Sequence, residues 1–253
     1  MRNMTNDVIG IVDALGYETA ITIGHDWGGP IALHTAALNE DRITATGTMS
    51  VPFTGRGPMP ALDLWKQVYK DNFFYQLYFQ KEGVAEAEFE SDLNKSLFIT
   101  YTNSDGRGMQ NNLEKGQSGL VPKKDKNSTF LEGMEVLDDF PDWFKQEDLD
   151  YFVSQFEISG LRGPFNRYRA QNIDWNELAE LDKKLKQPAC FITGTLDPVN
   201  FFIATDEPLI DRIEANYENL LFAEELEGIG HWTQQEAPEE VNRLILKFLK
   251  QVS

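Results

Sequence analysis

Gly24-His25-Asp26-Trp27-Gly28-Gly29 places one carboxylate, Asp26, between the apolar run Thr19-Ala20-Ile21-Thr22-Ile23 and the helix-forming Pro30-Ile31-Ala32-Leu33-His34. A strand that stops at a small residue, presents one polar side chain and restarts as a helix has the layout of a nucleophile elbow. Small flanking residues let strand and helix approach closely there. A carboxylate at that apex attacks carbon directly and forms an alkyl ester. The same six residues are read equally well as an ordinary strand-turn-helix with an incidental aspartate, so other groups must decide. Two stand out: Asp197, just after the apolar run 188–194, and His231 in the glycine-bounded Gly228-Ile229-Gly230-His231-Trp232. In chain order they give nucleophile, acid and histidine, each at the end of a predicted strand, where open parallel sheets bind their ligands. Of the other two histidines, His25 is expected to point away from Asp26, and His34 sits in a helix as a packing or surface residue. The absence of any Gly-x-Ser-x-Gly argues against an ordinary serine esterase.

Positioning these residues requires an alternating α/β chain. Met4, Val8, Ile11, Val12 and Leu15 recur at helical spacing up to Gly16, a good residue to end a helix. After the elbow, a helix over 31–38 and a strand over 42–49 form a second unit, and two such units argue for a parallel sheet. From Pro52 the pattern changes to stretches rich in helix formers and aromatics at 62–78 and 84–98. A polar, glycine-containing run at 102–128 reads as a long surface loop, and helical spacing returns at 147–158 and after Pro164. The sheet resumes at 188–194. A helix at 209–216, a strand around 220–223 and a closing helix through Val241, Leu244, Ile245, Phe248 and Leu249 follow. The expected organisation is a first core part over 1–52, an inserted helical segment over 53–180 and a second core part over 181–253.

At 253 residues and 41% hydrophobic content the chain can bury a core of this kind. Its net charge of -18 disfavours nucleic acid and anionic membrane surfaces as partners and makes a neutral substrate the easier fit. The single cysteine, Cys190, lies in an apolar run, so it forms no internal disulfide and reads as a buried, inert thiol. With no membrane-length apolar run and no signal-peptide core at Met1-Arg2-Asn3-Met4, a cytoplasmic location is expected.

Four motifs carry a family resemblance: GHDWGG at 24–29, YQLYFQ at 75–80 with GVAEAE just after, RGPFNRYR at 162–169, and GHWTQ at 230–234 with APEEVN beyond. On them the chain resembles the soluble epoxide hydrolases of the α/β-hydrolase superfamily. The first motif is shared with haloalkane dehalogenases, whereas the second and third are more specific because they supply cap tyrosines. The resemblance implies an α/β-hydrolase core with a helical cap, working without a cofactor on a small apolar epoxide and water. Asp26 would be the nucleophile, Tyr75 and Tyr168 the proton donors to the ring oxygen, His231 the base for water, and Asp197 its orienting acid. The backbone N–H of Trp27 would bind the oxyanion. Without the resemblance, either tyrosine is equally an aromatic core residue among the eight present.

The same resemblance implies several strands and a His-Gly-x-Pro turn ahead of the first helix, the turn giving a second oxyanion donor. This sequence contains neither, so the core is expected to be amino-terminally incomplete, with an exposed apolar edge on the elbow strand. Two alternatives stay open: a haloalkane dehalogenase-like hydrolase, and a truncated, non-catalytic binding or structural form. The oligomeric state is open too, a dimer included.

Overall fold

The computed structural model describes residues 1–117, 120–121, 123–182, 184–203 and 205–253. In chain order the elements are α1 (Arg2–Ala14), β1 (Ala20–His25), α2 (Gly28–Leu38) and β2 (Ile43–Met49). Helices α3 (Ala61–Val68), α4 (Tyr75–Tyr78), α5 (Val84–Glu90), α6 (Leu93–Ser104) and α7 (Gly106–Glu114) follow. Next come α8 (Gln146–Ser159), α9 (Arg162–Arg169) and α10 (Gln171–Glu177). The chain closes with β3 (Ala189–Gly194), α11 (Leu209–Glu214), β4 (Leu220–Leu226), α12 (Thr233–Glu236) and α13 (Pro238–Val252).

The α/β reading holds: the four strands form one parallel sheet in the order β1-β2-β3-β4. The register aligns His25 with Met49, Met49 with Ile192, and Gly194 with Leu226. The residues that follow each strand therefore gather at one edge of the sheet. Strand β3 is buried throughout, as its continuous apolar run requires when helices cover both faces. Leu33, Ile43, Phe53, Leu185 and Phe191 pack one face, and Met49, Ile192, Val241 and Leu244 pack around α13. Strand β1 is a sheet edge with Ile23 exposed, as expected. On α1 Val12 is buried while Ile11 and Leu15 of the same apolar stripe face solvent. Gly16, at φ +76°, ends that helix: its N–H returns to Asp13 and that of Tyr17 to Val12, a Schellman closure.

Between β2 and β3 the helices pack around a second, aromatic cluster of Phe73, Phe79, Phe89, Phe130 and Phe165. Here one expectation is corrected. The stretch from Thr102 to Ser128 is not one surface loop, because α6 runs to Ser104 and α7 covers 106–114, with Thr102, Asn103, Ser104 and Asp105 buried. Their polarity is satisfied internally. Asn103 Nδ2 donates to the carbonyls of Ile99 (2.9 Å) and Glu135 (2.8 Å). Asp105 caps α7, accepting from Gly108 N (2.7 Å) and Trp143 Nε1 (3.2 Å). Residues 118, 119 and 122 of that stretch lie outside the described residues. Among the described residues no helix is long and apolar enough to cross a membrane.

Candidate active site

Each strand hands one polar residue to the same end of the sheet: Asp26 after β1, Ser50 after β2, Asp197 after β3 and His231 after β4. Asp26 and Ser50 are the only described non-glycine residues with positive φ, at 48° and 69°. Such left-handed geometry costs about 1–3 kcal/mol and persists where the surroundings over-determine it. At the elbow they do: a Cβ on Gly24 would lie 2.0 Å from the Gly28 carbonyl oxygen, so only glycine lets β1 and α2 meet this closely. The turn exposes the Asp26 carboxylate to the cavity.

The three residues inferred from chain order are brought together. His231 Nε2 lies 3.2 Å from Asp26 Oδ2, and His231 Nδ1 lies 3.1 Å from Asp197 Oδ1. Asp197 is fully buried and its Oδ1 also accepts from Val199 N at 3.0 Å. Burial opposes charge on His231, but the carboxylates of Asp197 and Asp26 outweigh it and raise the imidazole to about 10. Burial likewise works against the Asp26 carboxylate. Its hydrogen bond to His231, the positive charge there and the backbone N–H of Trp27 overcome that and hold it below the usual carboxylate range. The resting site is thus an imidazolium between two carboxylates.

Across the cavity stand the two tyrosines, Tyr75 on α4 and Tyr168 on α9, their rings 5.7 Å apart and edge-on at 79°. Phe79 packs against both, at 5.5 and 5.0 Å. Arg169 fixes α9 by a two-pronged contact with Glu86 (2.7 and 3.0 Å) and a bond to the Phe79 carbonyl (2.8 Å). The Tyr75 phenol oxygen already accepts a hydrogen bond from Gln76 Nε2 at 3.1 Å, and the Tyr168 ring stands edge-on to the Trp27 indole with centroids 5.3 Å apart. The Tyr75 O–H is therefore left to donate elsewhere. Burial and the charge of Asp26 push both phenols above the ordinary tyrosine range, Tyr75 also through its closeness to Tyr168, so they stay protonated. Asp26, Trp27, Tyr75 and Tyr168 line one cavity of about 540 Å³, whose other walls include Val51, Pro52, Leu64, Trp65, Leu178 and Phe202. A neutral, largely apolar molecule fits such walls.

Residue-type reasoning missed several supports. His25 does not simply turn away: its Nε2 lies 2.7 Å from the His231 carbonyl oxygen. A carbonyl only accepts, so Nε2 carries the proton, consistent with burial and the neighbouring His231 charge holding His25 below its ordinary pKa. Ser50 Oγ donates to the same carbonyl at 3.1 Å. His34 lines the cavity from α2, and burial pushes it to about 4, so it is neutral. Among the described residues no cluster suited to a metal ion occurs.

Residues 1–238 match the family described as alpha/beta hydrolase fold. Epoxide hydrolase A of Mycobacterium tuberculosis (strain ATCC 25618 / H37Rv) is 33% identical over 250 residues, covering 98% of this chain and 74% of that protein. Epoxide hydrolase 2 of Siraitia grosvenorii is 31% identical over 263 residues, covering 98% of this chain and 75% of that protein. Among solved structures, an epoxide hydrolase from an endophytic Streptomyces superposes with a TM-score of 0.86 at 36% identity, over 97% of this chain and 72% of its own.

Proposed function

Since the chain belongs to the epoxide hydrolases of the alpha/beta hydrolase fold, we propose that it converts an epoxide and water to a vicinal diol through an ester on Asp26. The observation that carries this reading is the placement of His231 between Asp26 and Asp197, with Asp26 facing a cavity that is also lined by two protonated phenols. An Asp26 oxygen attacks an epoxide carbon from the side opposite the ring oxygen, and the carbon–oxygen bond breaks. The oxygen leaves as an alkoxide and takes a proton from Tyr75 or Tyr168, both protonated at rest. The product is a hydroxyalkyl ester.

Esterification removes the negative charge of Asp26, one of the causes that raise His231. In the ester, His231 is therefore a better base for water at neutral pH than the resting imidazolium suggests, with Asp197 still orienting its Nδ1. Hydroxide adds to the ester carbonyl. The oxyanion then forms on a carboxyl group beside the backbone N–H of Trp27, the donor positioned to stabilise it. Once Asp26 is esterified, His231 gives up its resting proton, which by way of water restores the phenol; it then takes a proton from the attacking water and returns it to the departing oxygen as collapse releases the diol. The carboxylic proton left on Asp26 passes back to His231, so the balance is epoxide plus water to diol.

A dehalogenase reading has less support from this cavity, because Tyr75 and Tyr168 stand where a halide would need donors besides Trp27. The deciding test is intact mass of the His231→Gln variant after incubation with a simple aryl epoxide, followed by peptide mapping. One added epoxide on Asp26 is expected. Folded protein that gains no mass would favour the non-catalytic form.

A further inference from the structure

We propose that Glu236, in the turn just after the histidine loop, is a positioning residue for His231 in ester hydrolysis, its carboxylate stapling that loop to the helical segment. This rests on the reaction proposed above. Glu236 Oε2 accepts from Gly230 N at 3.0 Å and Gly106 N at 2.8 Å, and Oε1 accepts from Trp232 N at 3.0 Å. Two of the three donors flank residue 231 on either side. The third begins α7, in the inserted helical segment.

The remaining backbone groups of the histidine are also committed. Its N–H donates to Ser104 O at 2.9 Å, and its carbonyl accepts from His25 and Ser50. Trp232 adds a second seam, its indole donating to Tyr101 O at 2.9 Å. Glu236 is mostly buried, and burial with the neighbouring Asp105 charge raises its carboxyl above the ordinary range while the three N–H donors act the other way, favouring the ionised form. Its chemistry explains why. Only an ionised carboxylate offers acceptors alone, enough for three converging N–H groups, whereas an amide would turn an N–H₂ toward one of them.

The staple matters most for the second step. His231 gains and loses a proton in every turnover, and with it much of its attraction to Asp197. A loop held only by that attraction would drift as the charge changes. A misplacement of about 1 Å costs on the order of a hundredfold in a step that needs aligned groups. Ring opening depends on Asp26 and the phenols and makes no such demand on this loop.

The experiment is rapid quenching with an aryl epoxide, reading ester formation and ester decay separately by intact mass in Glu236→Gln and Glu236→Ala, with His231→Gln as reference and thermal melts alongside. Ester decay is expected to slow about tenfold in Glu236→Gln and about a hundredfold in Glu236→Ala, with ester formation unchanged and ester visible at steady state. The pH midpoint of decay should move in Glu236→Gln. Equal slowing of both steps, or a lower melting temperature with an unchanged ester lifetime, would overturn the assignment in favour of a structural role. So would recovery of Glu236→Gln only as unfolded protein. No ester even in His231→Gln would remove the parent reaction and this inference with it, a result distinct from ester that forms and decays normally in the Glu236 variants.

Discussion

Asp26, Asp197 and His231 stand on turns whose amides and carbonyls are tied down one by one, whereas Tyr75 and Tyr168 ride on short helices held by ring packing, glutamine amides and the Arg169–Glu86 ion pair. The contrast follows the charge each half must carry. The sheet side holds an ion triad, and an ionised group in a buried site is stable only with fixed partners, so strand ends and backbone bonds supply them. The helical side holds two neutral phenols, which need a dry surround. Phe79 and the Trp27 ring supply the dry surround, and Gln76 donates to the Tyr75 oxygen. Backbone geometry suits groups that are ionised at rest, and side-chain packing suits groups that are neutral at rest.

The comparison is broken most severely from the sheet side. Asp26→Ala should abolish ester formation, and His231→Gln should trap the ester while turnover falls about 10⁴-fold or more, as in other nucleophile–histidine units. Steady-state assays with intact mass separate the two. From the helical side, Tyr75→Phe and Tyr168→Phe should each slow ester formation about a hundredfold and leave ester decay unchanged. The double variant should form no ester. Decay slowed by either single change would mean that the two halves are not separable.

A packing change should reach only the tyrosine side. Phe79→Ala removes the ring common to both phenols and should destabilise the protein by about 3–5 kcal/mol in urea titrations. In protein kept folded, it should slow ester formation more than decay. The smallest effect expected is on stability against pH. His231 is raised to about 10 in the folded protein, above its unfolded value near 6.5. The charge on His231 therefore contributes fully below pH 6.5 as long as the Asp26 carboxylate stays ionised, and that contribution is lost as pH rises through about 10. Melting temperatures should fall across that alkaline window in the wild type and fall less in His231→Gln. In the ester, where Asp26 carries no charge, decay should slow as pH falls and His231 becomes protonated.

Much of this was legible in the sequence because it depends on local pattern. The elbow follows from small residues around Asp26 between an apolar run and a helix former, and the order Asp26, Asp197, His231 follows from where apolar runs end. Tyr75 and Tyr168 were reached through resemblance, since a buried phenol and a core aromatic have the same local signature. The polar run from Thr102 misled because Asn103 and Asp105 satisfy their groups inside the fold, against Glu135 and Trp143. Their partners are distant in the chain, and composition cannot distinguish an internally satisfied polar residue from a solvated one.

The sequence by itself determined the strand-helix alternation, the carboxylate at the apex and the chain order of the three ionisable residues, because periodicity and turn chemistry act over a few neighbours. Tertiary structure alone decided that His231 sits between two carboxylates and is charged at rest, and that the Tyr75 O–H is left to donate. It also decided that the carbonyl of His231 is held by His25 and Ser50. Those properties arise from contacts between residues up to about two hundred positions apart, where burial and charge set by the whole fold decide what each group can do.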